Sequence, residues 1–160
     1  MSDKELFTES EAQRHFAIKF NGMTWDLLDK IDRTEEEDER MIYSAVASCR
    51  HWLEAGTAVH HQRGEWLISR VYSVLGLGNE AVRHATRCLE LTKSHAEAMA
   101  DFDWAHAYEA LARAHAIAAH LDEARRFVGL ATNAGESIAD DESRGIFMAD
   151  FNGGEWGGLR

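Results

Sequence analysis

Proline is absent from all 160 residues, where average usage would supply about eight. The chain therefore lacks the residue that most often breaks helix interiors and stiffens loops. That suits helices joined by short glycine turns and suits a multi-stranded sandwich poorly. Cysteine is scarce too, with only Cys49 and Cys88. Each falls in the apolar stripe of an expected helix, so both read as buried reduced thiols; without a secretion signal a structural disulfide is not expected. No stretch approaches the roughly 20 apolar residues of a membrane-spanning helix, and Met1 to Phe7 hold no apolar leader core. The expectation is a cytoplasmic protein with no membrane partner. Basic charge is in deficit as well: the formal net charge is −11. That excludes a general nucleic-acid binder, which needs a basic face, while leaving room for a local basic patch.

Helix signals fill the chain. Thr8 with Glu11, or Ser10 with Gln13, forms a capping box that opens a helix to about Lys30. Its apolar face holds Phe16, Phe20, Met23, Trp25, Leu27 and Leu28, and Asn21-Gly22 is expected to weaken or kink it. Thr34 with Glu37 makes a second box before the stripe Met41, Ala45, Cys49 and Trp52. The acidic run Glu35 to Glu39 sits in that helix's first turn, where negative charge complements the dipole. Gly56 then stops it and Thr57 caps a helix with His60, Gly64, Leu67, Val71 and Leu75 inward. After Gly76-Leu77-Gly78, Asn79 is expected to cap a helix carrying Ala81, Ala85, Cys88 and Leu89. Ser94 with Glu97 would open the longest helix, to about Ala119. Asp122 to Ala134 follows, ended by Gly135, and a last helix runs from Ser137 to roughly Asp150. The tail, Phe151 to Arg160, carries four glycines and no regular signal.

An internal similarity organises these helices. Ile68-Ser69-x-x-Tyr72, Gly76, Ala81, Ala85, Cys88 and Leu89 can be laid over Leu111-Ala112-x-x-His115, Ala119, Ala124, Val128 and Ala131. A small residue marks the close approach of a helix pair, and an alanine opens the second stripe. Gly76-Leu77-Gly78-Asn79-Glu80-Ala81-Val82 and His120-Leu121-Asp122-Glu123-Ala124-Arg125 resemble the helix-turn-helix of tetratricopeptide repeats, with a weaker copy ending at Ala45, Cys49 and Trp52. The leading alanines Ala45, Ala81 and Ala124 lie 36 and then 43 residues apart, against about 34 in the family. The second interval implies an over-long helix that juts from the stack, and no proline closes a repeat. Gly64-Glu65-Trp66-Leu67-Ile68-Ser69-Arg70-Val71-Tyr72 and Asp101-Phe102-Asp103-Trp104-Ala105-His106-Ala107-Tyr108-Glu109-Ala110 are also similar to an uncharacterised bacterial group of such repeat-like proteins, which brings no assigned activity.

The resemblance implies an all-α fold, antiparallel helix pairs stacked as a short right-handed solenoid of about seven helices. Residues 1–150 form one domain, with repeat-like pairs over about 35–134, and the glycine-rich tail 151–160 packs on it. In tetratricopeptide stacks the first helix of each pair lines a concave groove. That places Arg63, Trp66, Arg70 and Val74, with His106, Glu109, Arg113 and Ile117, along it. The functional reading is a peptide-binding groove in which Arg63, Arg70 and Arg113 grip a carboxylate bidentately and Trp66 anchors an apolar group. The bland reading is that Arg70 and Arg113 make interhelical ion pairs with Glu65, Glu109 or Asp103.

Chemical motifs are otherwise missing. No Walker loop, Gly-x-Gly-x-x-Gly, Cys-x-x-Cys or Gly-x-Ser-x-Gly occurs, so no catalytic residue and no cofactor is assigned. Asp103-x-x-His106 shares one helix face and resembles half of a paired carboxylate–histidine metal motif. A site across helices would draw on His60, Asp103 and His106, with His51, His61 or Asp101 near it. The adjacent pair His60-His61 diverges by about 100° on a helix, which is poor for a single ion. Three readings follow: an interaction module for a protein or acidic peptide, a self-associating homodimer built on the over-long helix, and a metal-dependent enzyme. The tail, with Phe151, Trp156 and Leu159, is expected to fold back on the protein, either capping the last pair or filling the groove with Asp150, Glu155 and the terminal carboxylate.

Overall fold

The caps foreseen near the N-terminus are reciprocal. Glu11 Oε2 accepts from the Thr8 backbone N–H at 2.8 Å while Thr8 Oγ1 accepts from Glu11 N–H at 3.2 Å. Thr34 and Glu37 repeat the exchange at 2.9 and 3.2 Å. Each box satisfies helix-start N–H groups that the helix itself leaves open. They begin α1 (Glu9–Leu28) and α2 (Glu35–Ala55). In the computed structural model, which describes residues 6–160, the chain continues as α3 (Ala58–Val74), α4 (Gly78–Ser94), α5 (Asp101–Ile117), α6 (Leu121–Glu136) and α7 (Asp141–Asn152). The described residues are all-α, without strand. Residues 1–5, part of the stretch judged free of a leader core, lie outside the described residues. No described helix is long and apolar enough to cross a membrane.

Each helix packs on its chain neighbour through α6 on α7, and α5 also touches α3 and α7. Helices α1, α3, α5 and α7 border one cleft, which α2, α4 and α6 do not line. Two apolar clusters result. Met41, Ala45, Cys49, Leu67, Ile68 and Val71 fill the first pairs. The second is rich in alanine, from Ala81 through Ala131, and ends in Phe147, Phe151 and Trp156. Alanines at the helix contacts allow close approach.

Several boundaries differ from expectation. Helix α1 passes straight through Asn21-Gly22. Helix α4 is led by Leu77, with Gly78 as its first residue, in place of an Asn79 cap. An added Cβ at Gly78 would fall 2.5 Å from Ala118 Cα, so the turn needs glycine for contact with the end of α5. The over-long helix from Ser94 does not exist. Ser94 ends α4, a 3-10 turn spans Ala96–Ala98, and α5 starts only at Asp101, where Asp103 Oδ2 accepts from Ala100 N–H at 2.9 Å. The local cap at Asp103 outcompetes the Ser94/Glu97 box because α4 carries its own stripe through Leu91 and Thr92. Helix α6 ends at Glu136, one residue past Gly135; Gly135 is buried, and a Cβ there would lie 2.1 Å from Phe147 Cε1. The last helix is capped by Asp140, whose Oδ2 accepts from Ser143 N–H at 2.8 Å, and not by Ser137.

The internal similarity acquires a geometric form. Helices α3 and α5 begin at 58 and 101, α4 and α6 at 78 and 121, an offset of 43 in both cases. Helix α2 begins at 35, another 43 before α4, so Ala45 is out of register with Ala81 and Ala124, and Asp38 takes their place. The 43-residue unit from α3 to α5 is made of two 17-residue helices, a three-residue turn and the six-residue connection from α4 to α5. Ring pairs recur at the same offset: Tyr72 stacks on His84 at 5.6 Å and His115 on Phe127 at 5.8 Å. Gly76 and Ala119 occupy the matching turn with φ of 75° and 63°.

Candidate functional site

Helices α3 and α5 bring all six groove residues into one neighbourhood, divided between two environments. Glu109 and Arg113, one turn apart on α5, are 1 % and 3 % exposed. Arg113 Nε donates to Glu109 Oε1 at 2.6 Å, Arg70 Nη1 donates to the same oxygen at 3.4 Å, and Trp66 Nε1 donates to Oε2 at 3.2 Å. The space they line, with Ser69, Ser73 and Ala110, has no room for a water-sized group. An open groove offering Arg70 and Arg113 to a ligand is therefore incorrect: a buried guanidinium needs a counter-charge, and Glu109 supplies it.

Arg113 has further partners. Its Nη2 donates to the Asp150 carbonyl at 2.8 Å, and its Nη1 to the carbonyls of Gly153 and Glu155, both at 3.0 Å. Its guanidinium lies 4.2 Å over the Trp156 ring. The tail thus reaches the arginine with main-chain oxygens, not with the carboxylates expected of it. Trp156 is 3 % exposed and packs edge-on to Phe151 at 5.6 Å. Glycine at 154 and 157, with φ of 73° and 56°, gives the tail its turns; the chain closes in a short 3-10 turn, Gly157–Leu159.

Arg63, Trp66 and His106 stay beside open space. A cleft of about 440 Å³ runs between α1, α3, α5 and α7, with Trp25, Trp66, Phe102 and Ile146 as its main apolar walls. Trp25 stacks on Trp66 at 6.0 Å, and Trp66 meets His106 edge-on at 5.4 Å. Arg63 Nε and Nη2 clasp the two oxygens of buried Asp103 at 2.9 and 3.3 Å, with the guanidinium 5.1 Å over Phe102. His106 Nδ1 is buried without a hydrogen-bonding partner among the described residues. Burial lowers the His106 pKa below the ordinary imidazole value despite nearby Glu109, Asp150 and Asp103, which keeps the ring neutral.

Charge around this floor balances: Arg63, Arg70 and Arg113 stand against Asp103, Glu109 and Asp150. The arginines leave no excess to attract an acidic peptide, so that preference loses its basis. What the cleft offers is aromatic and aliphatic surface with a few polar groups, the usual character of a recognition pocket.

The chain matches no protein-family model, no curated protein and no solved structure.

Among the described residues the metal trio His60, Asp103 and His106 does not converge. His60 Nδ1 accepts from Thr57 N–H at 3.0 Å and its ring stacks on Trp52 at 4.2 Å. Asp103 is committed to Arg63 and to the α5 cap, and His106 is wedged between Trp66 and Phe147. Burial pushes the Cys49 thiol up to about 12 and Cys88 higher still, so neither is a ready nucleophile. Sequence reasoning missed Trp25, Phe102 and Ile146 as cleft walls. In sequence Trp25 reads as part of the apolar face of α1, and no local pattern links residue 25 to residue 146.

Proposed function

We propose that this chain is a non-catalytic binding module of tetratricopeptide type, seating an apolar side chain of a partner protein or peptide between Trp25, Trp66, Phe102 and Ile146. The observation that carries this reading is the cleft itself, about 440 Å³ and walled by α1, α3, α5 and α7. The 43-residue repetition of helix starts and ring pairs supports the repeat assignment. Arg63, half exposed at 51 % with its charge matched by Asp103, orients a neutral polar group at the rim. Burying one Leu- or Phe-sized side chain contributes about 1.5–3 kcal/mol, roughly a factor of 10 to 150 in affinity.

Ile146 is 57 % exposed on α7, so Ile146→Arg fills the cleft mouth with charge without disturbing the core. Peptides selected from a random display library on the parent protein should share an apolar anchor and bind Ile146→Arg at least tenfold more weakly. Selected peptides that bind both proteins equally, or that share acidic clusters without an apolar anchor, overturn the reading.

Self-association is the second reading. The over-long helix that was to carry it is absent, but α2 presents Tyr43, Val46 and Leu53 at 62 %, 43 % and 50 % exposure, spaced along one helical stripe. Light scattering of the parent and of Val46→Glu tests it: a concentration-dependent dimer lost in the variant supports it, and a monomer at all concentrations removes it.

A further inference from the structure

A second group of polar side chains gathers between α2, α3 and α4, apart from the cleft. Cys49 Sγ from α2 and the ligand atoms of His61 and Glu65 from α3 all lie within 4.8 Å of one another. His61 and Glu65 are one helical turn apart and share a face, with Nε2 3.4 Å from Oε1. The other carboxylate oxygen, Oε2, lies 2.6 Å from Nδ1 of His84 on α4. Tyr72 stacks on the His84 ring and fixes its plane. Cys49 reaches this group because residue 64 is glycine: a Cβ there would stand 2.8 Å from Sγ.

The internal repetition shows that the scaffold has no need of these polar groups. Forty-three residues on, His61 is matched by Trp104, Glu65 by Tyr108 and His84 by Phe127. There the rings simply pack: Trp104 lies 6.3 Å from Tyr108, and Phe127 stacks on His115. The same interhelical space is closed by aromatics in one helix pair and by two imidazoles, a carboxylate and an approaching thiol in the other. A His–Glu–His hydrogen-bond relay accounts for three of those groups, but not for the sulfur within ligand distance of His61 and Glu65.

We propose that Cys49, His61 and Glu65 bind a divalent cation of borderline softness, of which zinc is the representative, with His84 holding the free carboxylate oxygen in place. Sulfur, imidazole nitrogen and carboxylate oxygen together form a donor set that zinc accepts and magnesium or calcium does not. An imidazole hydrogen-bonded behind a ligating group is a recurrent orienting device at such centres. Binding releases the Cys49 proton to solvent as the sulfur–metal bond forms, with no change of oxidation state. Three protein donors leave the fourth position to water. The ion would tie α2, α3 and α4 together, independently of the cleft.

The test uses the full chain, treated with chelator and then titrated with zinc in a calorimeter. One equivalent should bind, raise the melting temperature and protect one thiol from alkylation. Cobalt in place of zinc should give a thiolate-to-metal charge-transfer band in the near ultraviolet, and Cys49→Ser should abolish it. His84→Phe restores the residue found at the matching position of the next pair, so it is expected to fold; it should weaken zinc binding about 10–100-fold. Absence of saturable binding by the parent chain overturns the proposal, as does a cobalt band that survives Cys49→Ser.

Discussion

Replacing Glu109 by methionine tests how this protein holds its centre. The carboxylate is 1 % exposed and accepts from Arg113 at 2.6 Å, Trp66 at 3.2 Å and Arg70 at 3.4 Å. Methionine matches its length and removes all three contacts, stranding one buried and one largely buried guanidinium with like charge. Breaking a buried pair by removing one partner costs about 3–5 kcal/mol. Arg113 keeps three carbonyl acceptors from the tail and Arg70 is 17 % exposed. Both features place the loss at the low end, about 3 kcal/mol, or roughly 6–12 °C in melting temperature for a chain of this size. Urea denaturation followed by tryptophan fluorescence measures it. Glu109→Gln, which retains an acceptor but not the charge, should lose about half as much. Adding Arg70→Met to Glu109→Met should recover part of the loss, because it removes one stranded charge. A loss below about 1 kcal/mol for Glu109→Met would show a solvated surface pair and refute the buried triad.

Two further outcomes are expected. Gly135→Ala places a Cβ where Phe147 now sits, and overpacking of this kind costs about 1–3 kcal/mol; a variant as stable as the parent in urea would mean that α7 is not held against α6 there. Burial lowers the pKa of His106 in the folded chain, and those of His60 and His115 likewise. The unfolded chain therefore takes up protons first as pH falls below about 6.5. Stability is intact above that value and is lost as pH drops through the folded-state values. Urea midpoints at about pH 7.5 and about pH 5.5 should differ more for the parent than for His106→Gln, and equal differences would contradict the burial of the ring.

Helix number and the main caps were legible because their causes are local. Thr8 with Glu11 and Thr34 with Glu37 are short-range exchanges that four residues encode in full. The register of α3–α4 against α5–α6 was legible as well, since small residues must recur where helices touch. The break between α4 and α5 was not. Ser94 and Glu97 match a capping box in sequence, yet Ser94 ends the stripe of α4, and the real start depends on Asp103, whose other partner, Arg63, is 40 residues away. Gly135 marked the end of α6 to within one residue, but its contact with the Phe147 ring, which comes from another helix, was not legible. Of the residues expected along a groove, Arg63, Trp66 and His106 border the cleft. The sequence reading overvalued Arg70 and Arg113, because whether an arginine faces solvent or a carboxylate is settled by tertiary packing. Cys49, His61 and Glu65 read in sequence as a buried thiol, a histidine beside a candidate metal site and an ion-pair partner, because their convergence depends on how α2 packs on α3.

The grip of Arg113 on the tail has a consequence for how the molecule comes apart. In a linear array of helix pairs each unit leans only on its neighbours, and both ends fray. Here the carbonyls of Asp150, Gly153 and Glu155 are anchored to Arg113 in the C-terminal third of α5, so the last stretch of chain loops back and closes on a helix that precedes it by two. The C-terminal end cannot peel away without opening Arg113. Among the described residues no such return is seen at the other end, where α1 buries Ala17 and Thr24. Opening is therefore one-sided: α1 exchanges its amide hydrogens first, and α5, α6, α7 and the tail exchange together as a single late unit.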